Sequence, residues 1–195
     1  IETVNAVYES DDYHVEAEKE IDYIDEKESK FEKAKAKIQG MLLSGDNVFL
    51  DKDRNLTLDT NILGISPNGW EIKASELKYN KTTQELISTK PMYAKNEEKG
   101  VEVLANKFKT TITMDNITLE DGVVIKNKLF SILADKANYN NSSKIITLEG
   151  NIRLSNGIGE VGDINTLKDV KDIPNNSINK NDKEMSGTFS KVYFD

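Results

Sequence analysis

The fold is decided by residues 70–94, WEIKASELKYNKTTQELISTKPMYA, and by two later stretches that repeat their pattern. These are residues 101–125, VEVLANKFKTTITMDNITLEDGVVI, and residues 130–154, FSILADKANYNNSSKIITLEGNIRL. Each opens with apolar residues at alternate positions that lead to an alanine, and the alanines recur after 31 and then 29 residues. Because successive side chains of a strand face opposite sides, this alternation predicts a β-strand at the start of each repeat.

The alternation changes phase inside each of these predicted strands. In the first repeat the apolar positions after Ala74 are Leu77 and Tyr79, so the apolar side shifts by one residue. Such a shift predicts a bulge or a bend just after the alanine.

A second alternating element follows in each repeat, after a polar turn such as residues 80–84. Since both elements share the same two offsets, we predict stacked hairpin-like units of about 30 residues that bury one shared apolar face. A weaker copy of the second element lies upstream, and a weaker copy of the first lies at residues 185–194. The rows of the second element, with the upstream copy last, are Leu86, Ser88, Lys90, Met92 and Ala94; Ile117, Leu119, Asp121, Val123 and Ile125; Ile146, Leu148, Gly150, Ile152 and Leu154; and Leu42, Ser44, Asp46, Val48 and Leu50.

Two stretches interrupt the repeats. Residues 24–38, IDEKESKFEKAKAKI, fit a helical stripe through Phe31 and Ala34. They fit equally well a strand that turns its lysines outward, so both a short helix and a strand stay open. Residues 165–184 are polar, contain Pro174 and predict a long loop.

The composition excludes several classes of function. The chain carries 34 Asp and Glu against 26 Lys and Arg, a net charge of -8, which argues against nucleic acid as a partner. It has no Cys and one His, His14, so thiolate sites, multi-histidine metal sites and a Ser-His-Asp catalyst are not expected. We therefore expect no enzyme activity, no metal and no cofactor.

Two local motifs point to other chemistry but lack the context it needs. Residues 157–162, GIGEVG, match a dinucleotide fingerprint, yet no helical pattern follows them, so a glycine-rich turn is the better interpretation. His14 lies among Asp11, Asp12, Glu16 and Glu18, and one His among carboxylates is usually a surface feature.

The three repeats resemble the OstA-like repeats of the lipopolysaccharide-transport proteins of the Gram-negative envelope. Within that group, residues 77–95, LKYNKTTQELISTKPMYAK, are most similar to the LptC-like members, and an LptA-like member is the alternative. The resemblance implies an all-β fold, a β-jellyroll whose antiparallel strands form a V-shaped groove of two sheets. It also implies that residues 1–195 form one elongated domain.

The same resemblance implies a role in lipopolysaccharide export. Lipid A acyl chains would lie in the groove and pass from an inner-membrane ABC transporter to other β-jellyroll Lpt proteins, joined by edge-strand addition. The protein would be periplasmic, held by a membrane segment that precedes Ile1. Candidate edges are residues 8–18 and 188–195.

Physical chemistry leads to the same groove by another route. A sheet with one apolar face must close on a second layer or accept an apolar ligand. Acyl chains gain about 0.8 kcal/mol per buried CH2 group, so they could bind without specific polar contacts. Lys90 and Lys107 could meet lipid phosphates at its mouth. The candidate groove residues are Ile72, Ala74, Leu86, Met92, Val103, Ala105, Leu119, Val123, Ile132, Ala134, Leu148 and Ile152.

Two other functions remain open from the sequence. One is a structural or adhesion scaffold module with a closed core and no ligand, which a dye for apolar cavities would distinguish from a groove. The other is a carbohydrate-active enzyme, which needs aromatic platforms and a carboxylate pair, and a chain with a single Trp fits it poorly.

Overall fold

The computed structural model describes residues 1–143 and 145–156, and every regular element in this part of the chain is a β-strand. The prediction of an all-β fold is confirmed. Neighbouring strands pair antiparallel throughout, in one sheet that hydrogen bonds connect from end to end. The strands are β1 (Glu2–Glu9), β2 (Tyr13–Tyr23), β3 (Glu28–Ile38), β4 (Met41–Leu50), β5 (Leu56–Ile65), β6 (Trp70–Asn80), β7 (Glu85–Ser88), β8 (Met92–Asn96), β9 (Val101–Thr111), β10 (Asn116–Lys126), β11 (Phe130–Asn140), β12 (Ile145–Glu149) and β13 (Arg153–Asn156).

The sheet is a meander in which each strand lies beside the next one along the chain. β7 and β8 together make one crossing, because both pair with β6 on one side and with β9 on the other. β12 and β13 likewise share β11 as their partner. Each pair is separated by a short break in the middle of its crossing. The break lies at residues 89–91 between β7 and β8, and at residues 150–152 between β12 and β13.

These breaks belong to a line along which the whole sheet bends. The pairing of β5 with β6 shifts between Asp59 and Ile62, and the pairing of β10 with β9 and β11 shifts between Glu120 and Val123. Thr60, Asn61, Asp121 and Gly122, inside these shifts, have positive φ angles. Asn5 in β1 and Lys33 in β3 also have positive φ angles, at the points where the pairing of these strands with β2 is interrupted. Extra residues of this kind bend a strand and increase its local twist. Those inside the two shifts lie in β5 and β10, opposite β6, β9 and β11, whose inward side chains shift by one residue after the alanine as predicted.

The bend divides the sheet into two arms. We call arm 1 the part that carries the loop at residues 10–12 and the turns at residues 39–40, 66–69, 97–100 and 127–129. Arm 2 carries the turns at residues 24–27, 51–55, 81–84, 112–115 and 141–143. Apolar side chains from both arms form one buried cluster between them, so the core lies inside a V whose two walls are halves of the same sheet. The two sheets that the resemblance implies are thus the two arms of one bent sheet.

The stretch at residues 24–38 is a turn followed by β3, and the helix alternative is wrong. Ala34, Ala36 and Ile38 are buried while Lys33, Lys35 and Lys37 are exposed. β3 pairs with β2 and β4 along both its edges, and these backbone hydrogen bonds fix a strand where the side-chain pattern fits two periods.

The upstream copy of the second element is displaced by one residue in its first half. Leu42 is 50% exposed, whereas Met41 and Leu43 are buried. The turn at residues 39–40 is only two residues long, and it starts β4 with Met41 opposite Ile38 on the inner face. Val48 and Leu50, beyond the bend, point inward as predicted.

Four predictions fall on other parts of the chain. The loop at residues 165–184, the glycine motif at residues 157–162, the weaker copy of the first element at residues 185–194 and the edge at residues 188–195 lie outside the described residues. Within the described ranges, no helix is long and apolar enough to cross a membrane.

Candidate functional site

The interior of the V gathers every residue predicted for the groove. Eleven of the twelve are buried members of the core cluster, and Ile152 is partly buried against it. In the rows of the second element the central residues Lys90, Asp121 and Gly150 are exposed, because they lie on the bend. That these interior residues contact lipid stays a prediction.

The N-terminal half of the interior is filled by side chains. Phe31, Leu43, Leu58 and Ile72 are at most 1% exposed there. Gly64 fits this dense packing, since a Cβ atom at this position would lie 3.0 Å from the Leu43 side chain. This half is therefore densely packed by its own side chains.

A set of contacts joins the two arms at the mouth of this filled half. The Tyr13 hydroxyl, on arm 1, donates a hydrogen bond of 3.0 Å to the main-chain carbonyl of Arg54, on arm 2. The Lys81 ammonium on arm 2 lies 3.1 Å from the Asp12 carboxylate on arm 1. The Arg54 guanidinium also lies over the ring of Tyr8, 5.6 Å from its centroid. We call these five residues the clasp.

Aromatic rings continue the clasp into the core. Tyr13 stacks on Tyr8 and meets the edge of Tyr79, with ring centroids 5.9 and 6.2 Å apart. Burial, followed by the neighbouring Tyr8, raises the pKa of Tyr13 above its ordinary value. Burial likewise raises the pKa of Tyr79, whose hydroxyl has no hydrogen-bond partner among the described residues. Both phenols are therefore held neutral.

The C-terminal half of the interior contains an apolar cavity of about 140 Å³. Arm 1 contributes one wall, which includes Trp70, Met92 and Val103, and arm 2 contributes the facing wall. The lining residues in the described ranges are Trp70, Met92, Ala94, Lys99, Val101, Val103, Phe108, Met114, Ile117, Leu119, Ile125, Ala137, Tyr139 and Ile146. The arms are thus tied together at one end of the V and leave space between them at the other.

The charges at the mouth of the cavity differ from the expected ones. Lys99, in the turn at residues 97–100, borders the cavity, whereas Lys90 and Lys107 do not. Lys107 is exposed beside Asp121, with 3.5 Å between ammonium and carboxylate, and Lys90 is exposed at the bend. Among the described residues, the cation that borders the apolar space is therefore Lys99.

Sequence reasoning found three of the lining residues, Met92, Val103 and Leu119, among its candidates. It placed Trp70, Phe108, Ile117 and Tyr139 in the repeat pattern without assigning them to the groove. The alanines of the three repeats, Ala74, Ala105 and Ala134, were candidate groove residues, but they lie beside the bend and do not line the cavity. Ala94 and Ala137 do line it, and their alternation with large residues was the available signal.

The N-terminal edge of the sheet is β1, which pairs with β2 along one side. Val4 and Val7 on this strand are 73% and 61% exposed. The predicted edge at residues 8–18 was therefore placed too late, because most of it is β2, an interior strand paired with both β1 and β3.

His14 lies on the outer surface of arm 1. Its Nδ1 atom lies 2.5 Å from a Glu9 carboxylate oxygen, and its Nε2 atom lies 3.0 Å from one of Glu16. The hydrogen bonds to Glu16 and then to Glu9 raise the pKa of His14. No cluster of three or more His, Asp or Glu side chains suited to a metal ion occurs within residues 1–143 and 145–156.

Comparison with known proteins gives a likeness among solved structures. No protein-family profile matches the sequence, and no curated protein matches it. Among solved structures the chain is similar to the crystal structure of LptH from Pseudomonas aeruginosa, the LptA-homologous periplasmic component of the lipopolysaccharide transport device. That match has 10% sequence identity and a TM-score of 0.30, and it covers 71% of this chain and 82% of the other.

Proposed function

We propose that this protein binds the acyl chains of lipopolysaccharide between the two arms of its bent sheet. The observation that carries the proposal is the apolar cavity between the arms, whose lining contains a single charged residue, Lys99, among the described residues. Apolar pockets of this kind are the ordinary binding sites for apolar ligand groups. The resemblance of the three repeats to the OstA-like repeats supports the choice of lipid.

The proposal extends to a place in lipopolysaccharide export. The protein would work in the periplasm as an LptC-like relay, anchored at the inner membrane, that takes lipid from an ABC transporter. It would pass the lipid to another β-jellyroll protein through an added edge strand. The β1 edge supports this, because β1 has only β2 as a neighbour among the described strands and a strand edge without a neighbour presents unpaired backbone groups to a partner strand. Residues 1–195 would act as one elongated domain.

Binding can be tested with a fluorescent lipopolysaccharide analogue. We expect saturable binding to the wild-type protein and a loss of at least about tenfold in affinity for Val103→Phe, which would fill the cavity. Overpacking of this kind costs about 1–3 kcal/mol of stability, so the melting temperature of the variant must be measured as well.

The matched control is Val7→Phe, the same change at an exposed position of β1. It should bind the analogue as the wild type does. Saturable binding that Val103→Phe and Val7→Phe leave equally strong would place the lipid elsewhere on the protein, and a folded wild type with no binding at all would refute the proposal.

The filled N-terminal half of the interior favours a second candidate, a scaffold module with a closed core. Side chains that are at most 1% exposed, such as Phe31 and Leu58, show how tightly this half is packed. A closed core would not bind a dye for apolar cavities, whereas the open C-terminal half should bind it. Dye binding that Val103→Phe removes would favour the lipid carrier.

A further inference from the structure

The turn at residues 97–100 places a positive charge beside the apolar cavity. Lys99 borders the cavity and is exposed, and no ion pair to it is present in the described part of the chain. Its main-chain N–H donates to the Asn96 side-chain oxygen at 2.9 Å, and the Asn96 amide donates to the main-chain carbonyl of Asn68 at 3.0 Å. Because Asn96 is buried, these bonds fix the turn that carries Lys99.

The two acidic residues next to Lys99 in the sequence, Glu97 and Glu98, place no negative charge in the lining of the cavity. The Glu97 carboxylate lies 2.9 Å from the Lys95 ammonium, which also approaches Glu71 at 3.6 Å. Glu98 is exposed and does not border the cavity. Within the described part of the chain, a ligand in the cavity therefore meets one charge at its rim, and that charge is positive.

The size of the cavity limits what it can hold. An engineered apolar cavity of about 150 Å³ in another protein binds a single benzene molecule, and this cavity measures about 140 Å³. Such a space accepts the end of one hydrocarbon chain, not several chains side by side. Met92 and Met114 in the lining can change rotamer to follow a flexible chain.

We propose that the cavity is a site for one single-chain amphiphile with an anionic head group. The tail would lie between the arms, beside Trp70 and Val103, and the carboxylate or phosphate head would lie at Lys99. This inference rests on the proposed function and narrows it, since a lipid with several chains would engage the closed V through one chain at a time.

The protein contains its own reporter for this site. Trp70 is the single tryptophan of the chain and lines the cavity, so its emission should respond to a chain that enters. Titration with dodecyl phosphate, dodecanol and dodecyltrimethylammonium, each below its micelle concentration, varies the head charge at constant tail length. We expect the affinity to be highest for the phosphate and lowest for the ammonium.

Charge reversal at Lys99 separates head-group recognition from simple partition of the tail. Lys99→Glu should lower the affinity for dodecyl phosphate by about fivefold, the range of one exposed ion pair, and leave dodecanol unchanged. The matched control is Lys90→Glu, the same change at an exposed lysine that does not border the cavity. Added salt should weaken the preference of the wild type for phosphate.

The outcomes distinguish this inference from the function on which it rests. Equal affinities for the three probes, or equal effects of Lys99→Glu and Lys90→Glu, would overturn the anionic site while the lipopolysaccharide analogue still binds. Binding of that analogue without any response of Trp70 to the single-chain probes would overturn it too. If neither the analogue nor the probes bind, the proposed function fails together with the inference.

Discussion

The Tyr13 hydroxyl donates a hydrogen bond to the main-chain carbonyl of Arg54, a residue 41 positions further along the chain. The bond crosses the mouth of the V from arm 1 to arm 2. Tyr13→Phe removes the bond and keeps the ring, and it should lower the free energy of unfolding by about 1 kcal/mol. Urea denaturation measures this difference. The control is Tyr23→Phe, since Tyr23 is 44% exposed, and it should change stability by less than about 0.5 kcal/mol. Equal effects of the two variants would show that the bond does not stabilise the clasp.

Tyr79 should give the opposite result from Tyr13. Its side chain is fully buried, and its hydroxyl has no partner in the described residues. A buried hydroxyl without a hydrogen bond costs free energy. Tyr79→Phe should therefore leave the melting temperature unchanged or raise it, by up to the equivalent of about 1–2 kcal/mol. A clear loss of stability would reveal a partner for this hydroxyl, such as a buried water molecule.

The two buried phenols make stability sensitive to high pH. Their pKa values are raised in the folded protein, so the unfolded chain releases these protons first as the pH rises. Stability should be constant with respect to these groups below about pH 10, the ordinary pKa of tyrosine, and should fall above it. Urea midpoints measured between pH 8 and pH 11 test this. The double variant Tyr13→Phe with Tyr79→Phe should show a shallower decline, and an unchanged decline would assign the effect to other groups.

His14 should titrate above its ordinary range. Its hydrogen bonds to Glu16 and Glu9 raise its pKa, and as the single histidine of the chain it gives one resolved imidazole signal in an NMR titration. The stabilising contribution of charged His14 is fully present below pH 6.5 and is lost as the pH rises through the raised pKa. Because Glu9 ends β1, the amides of β1 should exchange faster at pH 8.5 than at pH 5.5, after correction for intrinsic exchange. Glu16→Gln should lower the measured pKa, and a pKa that stays unchanged in this variant would contradict the assignment.

Gly150 and Gly100 form a natural pair for a backbone test. Both have positive φ angles, +77° and +62°, where a side chain costs about 1–2 kcal/mol. A Cβ atom at Gly150 would overlap the Asp135 carboxylate, whereas at Gly100 it would meet nothing within 4 Å. Gly150→Ala should therefore destabilise the protein by at least about 1 kcal/mol more than Gly100→Ala, as thermal unfolding would show. Equal losses would mean that Asp135 moves aside freely.

The interior faces of the strands could be predicted because each repeat keeps a strict alternation on either side of one bend. This alternation predicted that Val103 and Leu119 point inward, and both are buried in the structure. The alternation could not decide whether β3 is a strand or a helix, because its Ala and Lys residues fit both periods. Only the pairing with β2 and β4 decides between them. The alternation misplaced Leu42, because a two-residue turn sets the phase of β4 independently of the repeat.

The clasp and the cavity could not be predicted from the sequence, for a different reason. Tyr13 and Arg54 meet because two distant loops come together at the mouth of the V, and no local pattern encodes that distance. The cavity is a difference between the volume enclosed by the arms and the volume of the side chains that fill it. Lys99 was overlooked because its role depends on which turn borders that space.

The common bend has a consequence for how such a protein can change in length. Every crossing strand turns at the same line, so each repeat of two crossings is the same building block whatever its neighbours are. Strands lie about 4.8 Å apart, and inserting or deleting one repeat would lengthen or shorten the V by about 10 Å. The walls, the bend and the inward rows would keep their register, because each repeat contacts only the next. The number of repeats therefore sets the length of the V and the distance that it can span.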